Sequence, residues 1–234
     1  RGEPTPYKWP NVNSHFGIMD VCGFPKNIYY YYKSWWTDED VIHISPHWNW
    51  NEKIGQPIEV WVNSNADDVE LFLNGKSLGK KTMPRNSHLK WEVTYEPGTL
   101  EAIGYKKGKK ISTKVETTST PYKVIATTEK NILTADGKDA TVVNISIVDE
   151  KGREVPVADN MVKFFLKGDA KIIGVGNGDP SSHEPDQFLD GAWQRSAFNG
   201  KCQVIILSGK TKGELLLEVK SNGLASDVIS FTQK

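Results

Sequence analysis

Val69-Glu70-Leu71-Phe72-Leu73-Asn74-Gly75 is the stretch that decides the fold class of this chain. Val69, Leu71 and Leu73 share one face of an extended strand, because successive side chains of a strand point to opposite faces. Asn74-Gly75 then favours a two-residue hairpin, since both central positions of a type I′ turn need φ > 0. The stretch predicts a half-buried antiparallel strand that ends in a tight turn.

Similar short alternating segments fill residues 37–118, separated by Gly, Asn, Asp and Pro. Ile58–Val62 has the same alternation, and Lys106–Lys110 is typical of a solvated hairpin turn. We expect Lys90–Tyr95 and Leu100–Tyr105 to pair as a hairpin through Glu96-Pro97-Gly98. Together these segments predict one antiparallel β-sandwich domain over residues 37–118.

The polar connector Thr117–Pro121 marks a domain boundary, and alternating strands resume after it. Asp149–Gly152 is typical of a turn between two of these strands. Residues with strand periodicity lie at Thr141, Val143, Ile145, Ile147, Val162, Phe164 and Leu166, and in the segments 204–207, 215–219 and 228–231. Strands every eight to twelve residues indicate a second immunoglobulin-like sandwich over residues 119–234. The predicted fold class is therefore all-β.

The first 36 residues have a different pattern. Gly23–Trp36 contains seven large aromatic residues, and Tyr29, Tyr32 and Trp36 fall at helical spacing. Pro25 suits the first turn of that helix, where its missing N–H would be unpaired in any case. Such a helix has too much apolar surface to be stable alone in water. We expect residues 1–36 to be part of a domain whose remainder lies upstream.

The overall composition narrows the function classes. The chain has 29 basic and 29 acidic residues, so its net charge favours neither nucleic acid nor an anionic membrane as a partner. No apolar segment is long enough for a membrane span. Cys22 and Cys202 are the only cysteines, and we expect them to be free thiols in different domains.

Three stretches resemble one family. Arg1–Pro10, Ser14–Asp20 and Gly23–Lys26 together resemble the loop after the eighth strand and the final helix of a family 2 glycoside hydrolase (β/α)8 barrel. Val69–Gly79 resembles the sandwich domain that directly follows the barrel in bacterial β-galactosidases of this family. Gly174–Pro185 resembles the signature of their C-terminal Ig-like domain, and the order of the three stretches matches the family order.

The resemblance implies a division into a barrel remnant at 1–36, an accessory Ig-like sandwich at 37–118 and a C-terminal one at 119–234. Family members use two glutamates and retain the anomeric configuration. Those glutamates lie on upstream strands, and no residue here matches either motif. The resemblance therefore implies an inactive C-terminal accessory region with no catalytic residue and no cofactor. Its partner would be the missing barrel of a parent chain.

The resemblance leaves several partners and locations open. A galactoside or another glycan and a homo-oligomer are both compatible with it, whereas nucleic acid and membrane partners are not expected. It also implies export to the periplasm or secretion in a bacterium, with a cytoplasmic location left open. The linkage that the parent cleaves is not fixed, because β-glucuronidases and β-mannosidases share the architecture.

Two sets of residues are candidates for contact with sugar. Trp9, Asn13 and His15 lie in the loop that would reach the sugar-binding face of a whole barrel. The alternative is that they only pack this loop against the barrel. Phe188 and Trp193 could form a carbohydrate platform in the irregular stretch 186–198, or they could tuck that stretch onto its own domain.

Other motifs favour structural interpretations. Gly174-x-Gly176-x-Gly178 lacks the strand–helix context of a nucleotide site, so we expect a glycine-rich bend within a sandwich. Acidic residues near His183 offer oxygen ligands for Ca²⁺, but their spacing matches no EF-hand loop, and no metal site is predicted. The cluster around His43, His47, Trp48 and Trp50 suits a seam between domains.

Two classes of function remain open at this point. In the first, the chain is the non-catalytic accessory region of a retaining β-galactosidase-like enzyme. In the second, it is a stand-alone carbohydrate-binding module or a cell-surface adhesion module of Ig-like domains. Saturable binding of glycans would distinguish the carbohydrate-binding module from a purely structural region.

Overall fold

A computed structural model of the chain describes residues 7–11 and 15–234. These residues hold one α-helix and sixteen β-strands, which confirms the predicted all-β fold class. The chain divides into two compact units by its internal contacts. The first unit is Pro25–Thr118, and the second combines the described residues up to Phe24 with Ser119–Lys234.

The first unit is a sandwich of two antiparallel sheets with strand orders β1-β2-β5 and β4-β3-β6-β7. Its elements are α1 (Asn27–Trp36), β1 (Ile42–Ser45), β2 (Pro57–Ser64), β3 (Asp68–Leu73), β4 (Lys76–Thr82), β5 (Leu89–Thr94), β6 (Thr99–Lys106) and β7 (Lys109–Glu116). The predicted hairpin after β3 is confirmed, because Asn74 and Gly75 have φ of 51° and 80° and connect β3 to β4.

The predicted hairpin between residues 90–95 and 100–105 is wrong. Strand β5 pairs with β2, whereas β6 pairs with β3 and β7 in the opposite sheet. Each strand has an apolar face that is buried in the same core, and two such strands can meet across a sandwich as well as within one sheet. Glu96-Pro97-Gly98 therefore carries the chain from one sheet to the other.

Trp48 belongs to the core of this sandwich and not to a seam between domains. Its side chain is fully buried, and its Nε1 donates a hydrogen bond of 3.0 Å to the carbonyl oxygen of Glu96. The ring lies 5.0 Å from that of Tyr95, which is also fully buried. A buried indole needs such an acceptor for its N–H. The segment that crosses between the two sheets supplies it through the carbonyl oxygen of Glu96.

Helix α1 packs on strands β1 and β2 of the same unit. Tyr30 stacks on His43 with 3.7 Å between ring centroids, and the Nε1 of Trp35 donates to the carbonyl oxygen of Ser87. The helix begins at Asn27, so Pro25 lies before its first turn and not within it. Trp36 remains 77% exposed, which leaves part of the aromatic surface of this helix uncovered.

The second unit contains another sandwich, with strand orders β12-β14-β10-β8 and β13-β11-β15-β16-β9. Its strands are β8 (Lys123–Thr127), β9 (Ile132–Leu133), β10 (Ala140–Val148), β11 (Met161–Lys167), β12 (Ala170–Gly176), β13 (Trp193–Ser196), β14 (Lys201–Ser208), β15 (Gly213–Ser221) and β16 (Asp227–Gln233). The predicted inward faces of β10 and β11 are confirmed, since Thr141, Val143, Ile145, Ile147, Val162 and Phe164 are buried.

A buried carboxylate fixes the turn that follows β10. Asp149 is 1% exposed and accepts hydrogen bonds from the guanidinium group of Arg153 and from the backbone N–H groups of Ser119, Lys151 and Arg153. Burial opposes ionisation of Asp149, but these hydrogen bonds outweigh it and hold its pKa well below the ordinary value. The predicted turn at residues 149–152 is therefore confirmed, and its charge is fully paired.

The stack of Tyr30 on His43 makes the stability of the first unit depend on pH. Burial lowers the pKa of His43 from 6.5 to about 4. Because the unfolded chain takes up this proton first, the full stability is present above pH 6.5 and is lost as the pH falls towards 4. At 1.36 kcal/mol per pH unit, the loss attributable to this group is at most about 3 to 4 kcal/mol.

We expect His43→Phe, which keeps a ring against Tyr30, to reduce the loss of stability of this unit between pH 7 and pH 5. Urea unfolding at several pH values measures the free energy of unfolding and therefore this loss. A smaller decrease in the free energy of unfolding remains in the variant, because burial also lowers the pKa values of His47 and His88. If the free energy of unfolding of His43→Phe decreased between pH 7 and pH 5 as much as that of the wild type, this account would be contradicted.

Candidate functional site

The candidate site lies in the second unit, where a tight turn at residues 20–24 meets the loop that follows β12. The Asp20 carboxylate shapes the turn, because its Oδ1 accepts the backbone N–H groups of Cys22 and Phe24, both at 2.9 Å. Gly23 completes the turn with a φ of 81°. A short polar side chain followed by a glycine is typical of such a turn.

The glycines of β12 and its loop allow this turn to approach closely. A Cβ atom added to Gly178 would lie 1.9 Å from Asp20 Oδ2, and one added to Gly176 would lie 3.0 Å from Cys22 Sγ. A distance of 1.9 Å is far shorter than any non-bonded contact between heavy atoms. The motif predicted as a glycine-rich bend is thus a contact surface, and it includes a register shift between Ile172 and Gly174.

The loop after β12 is held by a buried arginine. Arg195 lies on β13, is 6% exposed and donates hydrogen bonds to the carbonyl oxygens of Val175 and Glu184 and to Ser182 Oγ. The carboxylate of Glu184 in turn accepts the backbone N–H of Ser196 at 2.8 Å. These bonds connect the middle of the loop, at Ser182 and Glu184, to strands β12 and β13, so this part of the loop has a defined conformation.

The acidic residues of the loop also hold its conformation, because their carboxylates accept backbone hydrogen bonds. Asp179 Oδ1 accepts the backbone N–H of Ser181, and Asp186 Oδ1 accepts that of Val175, both at 2.8 Å. Among residues 7–11 and 15–234, no group of three or more His, Cys, Asp or Glu side chains is placed to hold a metal ion. Asp179 and Asp186 also line a cleft of about 360 Å³ that Cys22 borders.

Trp9 lies against this loop. Its ring centroid is 4.3 Å from that of His183, and the indole is nevertheless 80% exposed. The Nε2 of His183 donates to the carbonyl oxygen of Pro10 at 2.8 Å, and Ser181 Oγ donates to Asn11 Oδ1 at 3.1 Å. The first described residues are therefore attached to the C-terminal sandwich by one contact between tilted rings and two hydrogen bonds.

The other two residues of this segment that are predicted to contact sugar are His15 and Asn13. His15 stacks on Tyr7, with 4.0 Å between ring centroids, so it has a ring partner separate from that of Trp9. Asn13 lies outside the described residues. Whether Trp9, Asn13 and His15 contact sugar stays a prediction.

Phe188 and Trp193 do come together. They line one groove of about 480 Å³, with Lys167 and Lys171 among its other residues. Phe188 is 60% exposed, whereas Trp193 is half-buried and packs on the core of the sandwich. The stretch 186–198 is not wholly irregular as expected, because Trp193 begins strand β13 and pairs with Phe164.

The two cysteines are free thiols, but both lie in the second unit and not in different domains as expected. Burial and the nearby negative charge of Asp20 raise the pKa of Cys22 to about 11. Burial raises the pKa of Cys202 further. Neither thiol is therefore activated as a nucleophile at neutral pH.

Sequence reasoning missed Asn11, Ser181 and Arg195 as members of this site. Their roles arise from pairings between distant parts of the chain, such as the 170 residues that separate Asn11 from Ser181. The available signal was the density of glycine and short polar residues in Gly174–Ser182. That pattern indicates a special backbone, but it does not identify the segment that packs on it.

No helix among the described residues has the length and apolar character that a membrane crossing requires.

Comparison with known proteins relates both sandwiches to one family. Residues 125–230 match the glycoside hydrolase family 2 C-terminal domain 5. Residues 55–112 match a domain of unknown function, DUF4982. The chain is 46% identical to the β-galactosidase BoGH2A of Bacteroides ovatus over 234 residues, and 31% identical to a β-glucuronidase of Formosa agariphila over 179 residues.

Solved structures agree with these matches. A β-glycosidase from Bacteroides vulgatus superposes with a TM-score of 0.90 at 34% identity, over 96% of this chain and 29% of that one. A family 2 glycosyl hydrolase from Bacteroides cellulosilyticus gives a TM-score of 0.86 at 30% identity, over 93% and 31% of the two chains.

The chain matches only part of each relative's length. The match with the B. ovatus enzyme covers 99% of this chain and 27% of that protein, and the match with the F. agariphila enzyme covers 74% and 18%. The resemblance seen in the sequence is thus confirmed. The chain belongs to glycoside hydrolase family 2, and its two sandwiches correspond to accessory domains of the C-terminal region of that family.

Proposed function

We propose that this chain works as the accessory region of a longer enzyme that hydrolyses β-galactosides with retention of configuration. The observation that carries this proposal is the attachment of residues 7–11 and 15–24 to the second sandwich through Asp20, Cys22 and Trp9. A segment that resembles the final loop of a catalytic barrel is held there by a domain with no catalytic motif of its own. The role of the sandwich is then to support the pocket.

The chemistry of retention explains why this region alone should be inactive. Retaining glycosidases need a nucleophile and an acid/base carboxyl group about 5–5.5 Å apart on opposite sides of the scissile bond. No glutamate in this sequence matches the motif of either group. The sandwiches can contribute to catalysis only through the position of residues that contact the substrate.

The exposed part of helix α1 supports a barrel as the partner. Trp36 is 77% and Ile28 44% exposed, and a groove of about 610 Å³ lies beside the helix, lined in part by Tyr31, Trp61 and His88. Apolar surface of this extent is stabilised when a partner covers it. We propose that the upstream barrel of the same longer protein covers it, with a second copy of the chain as the alternative.

Aryl glycosides test the proposal directly. We expect the complete product of the gene that encodes this chain to hydrolyse a nitrophenyl β-galactoside, and this chain alone to show no turnover above the uncatalysed rate. NMR of the product formed first should show the β-anomer. Activity of this chain alone, or inversion of configuration by the complete protein, would contradict the proposal.

A second candidate function is favoured by the groove at Phe188 and Trp193. An exposed aromatic ring beside a half-buried one offers an apolar plane for a sugar, and the two lysines at its edge suit glycans that carry carboxylates. On this proposal the second sandwich also binds acidic glycans, without a catalytic role.

Calorimetric titration of this chain with uronic-acid-containing oligosaccharides tests the second candidate. We expect saturable binding that Phe188→Ala weakens by roughly fivefold, because the exposed ring contributes about 1 kcal/mol of stacking. Val228→Ala, which removes another exposed apolar side chain of the same unit, is the matched control and should have no effect. Flat titrations with the wild-type chain would rule out the platform.

A further inference from the structure

Trp9 combines two properties that rarely occur together. It is among the most exposed large side chains of the described chain, at 80%, yet one side of it packs against the imidazole of His183, with 4.3 Å between ring centroids and 33° between the ring planes. An indole that only filled space would be covered by apolar neighbours. Here one side is supported and most of the ring surface remains available.

The backbone on the C-terminal side of Trp9 is also held. His183 donates to the carbonyl oxygen of Pro10, and Ser181 donates to the side chain of Asn11. Asn11 closes a turn back to Lys8, whose carbonyl oxygen accepts both its backbone and its side-chain N–H. The indole therefore has a fixed backbone and a fixed ring partner.

The support itself is rigid. Ser182, next to His183, accepts a hydrogen bond from Arg195, and the carboxylate of Asp179 accepts the N–H of Ser181. Arg195 is 6% exposed and also donates to the carbonyl oxygens of Val175 on β12 and of Glu184 in the loop. Binding groups that are held by a second layer of buried hydrogen bonds lose little entropy when a ligand arrives.

We infer that the second sandwich positions Trp9 as a stacking surface for a pyranose ring of the glycoside, with His183 as the positioning residue. This inference rests on the proposed function and adds the C-terminal domain to the substrate site. The free side of the indole suits the C–H face of a pyranose. His183 acts through Trp9 and contacts no reacting atom.

Steady-state kinetics of the complete gene product test this inference. We expect His183→Ala to raise KM for a nitrophenyl β-galactoside by roughly tenfold, with kcat changed less than about twofold, because ground-state and transition-state binding are weakened alike. Trp9→Ala should raise KM at least as much. The double variant should match Trp9→Ala, since His183 acts only through that ring.

Two further variants separate the parts played by His183. His183→Phe keeps a ring behind Trp9 but loses the bond to Pro10, whereas His183→Gln keeps an N–H donor but loses the ring. Each should restore part of the loss in His183→Ala. Gln187→Ala, which changes an exposed side chain farther along the same loop, is the matched control and should leave KM unchanged.

A spectroscopic measurement keeps the inference testable if a variant loses activity through misfolding. In this chain labelled with 5-fluorotryptophan, the ¹⁹F signal of Trp9, assigned through Trp9→Phe, should shift and sharpen in His183→Ala while the other seven Trp signals stay in place. An unmoved Trp9 signal would overturn the inference.

The kinetic outcomes distinguish this inference from the proposed function. A complete protein that turns over no β-galactoside would overturn both. An active protein whose KM is the same in His183→Ala, or is raised equally by Gln187→Ala, would overturn the positioning role alone and leave the proposed function intact.

Discussion

The structure of the candidate site depends on a close contact between the glycine backbone of β12 and its loop and the side chains of Asp20 and Cys22. Asp20 and Cys22 lie so near the loop after β12 that Gly178 and Gly176 have room for a hydrogen atom but not for an unstrained methyl group. Glycine costs conformational entropy within a strand and its adjoining loop, so its use here needs a compensating gain. The gain is the attachment of the opening segment to the second sandwich, which also brings Trp9 to His183.

The first unit also holds a segment that precedes its first strand. There helix α1 is held by its aromatic side chains. Tyr30 stacks on His43, and the Nε1 of Trp35 donates a hydrogen bond to the carbonyl oxygen of Ser87. The residues before the first strand are thus divided between the two units, since α1 belongs to one and the turn at Asp20 to the other. Both accessory sandwiches bind a segment that resembles the end of a catalytic barrel, which is the physical basis for the supporting role proposed above.

Local patterns in the sequence predicted much of this fold, because strand alternation and turn chemistry act over a few residues. The turn at Asn74-Gly75 and the inward face of β10 follow from such patterns. The partner of β5 does not, since its apolar face is satisfied equally by a hairpin or by a contact across the core. Arg195 and Ser181 were also beyond reach, because their roles depend on segments that are far apart in the chain and meet only after folding.

Hydrogen exchange in Gly178→Ala tests the central claim most directly. Its matched control is Gly174→Ala, where an added Cβ would meet only ordinary contacts of 3.7 Å or more. The account predicts that the amides of Cys22 and Phe24, which bond to Asp20, lose protection in Gly178→Ala, while amides of β10 and β14 keep theirs and Gly174→Ala resembles the wild type. Unchanged protection of Cys22 and Phe24 in Gly178→Ala would show that the close contact does not hold the segment, and would contradict the account.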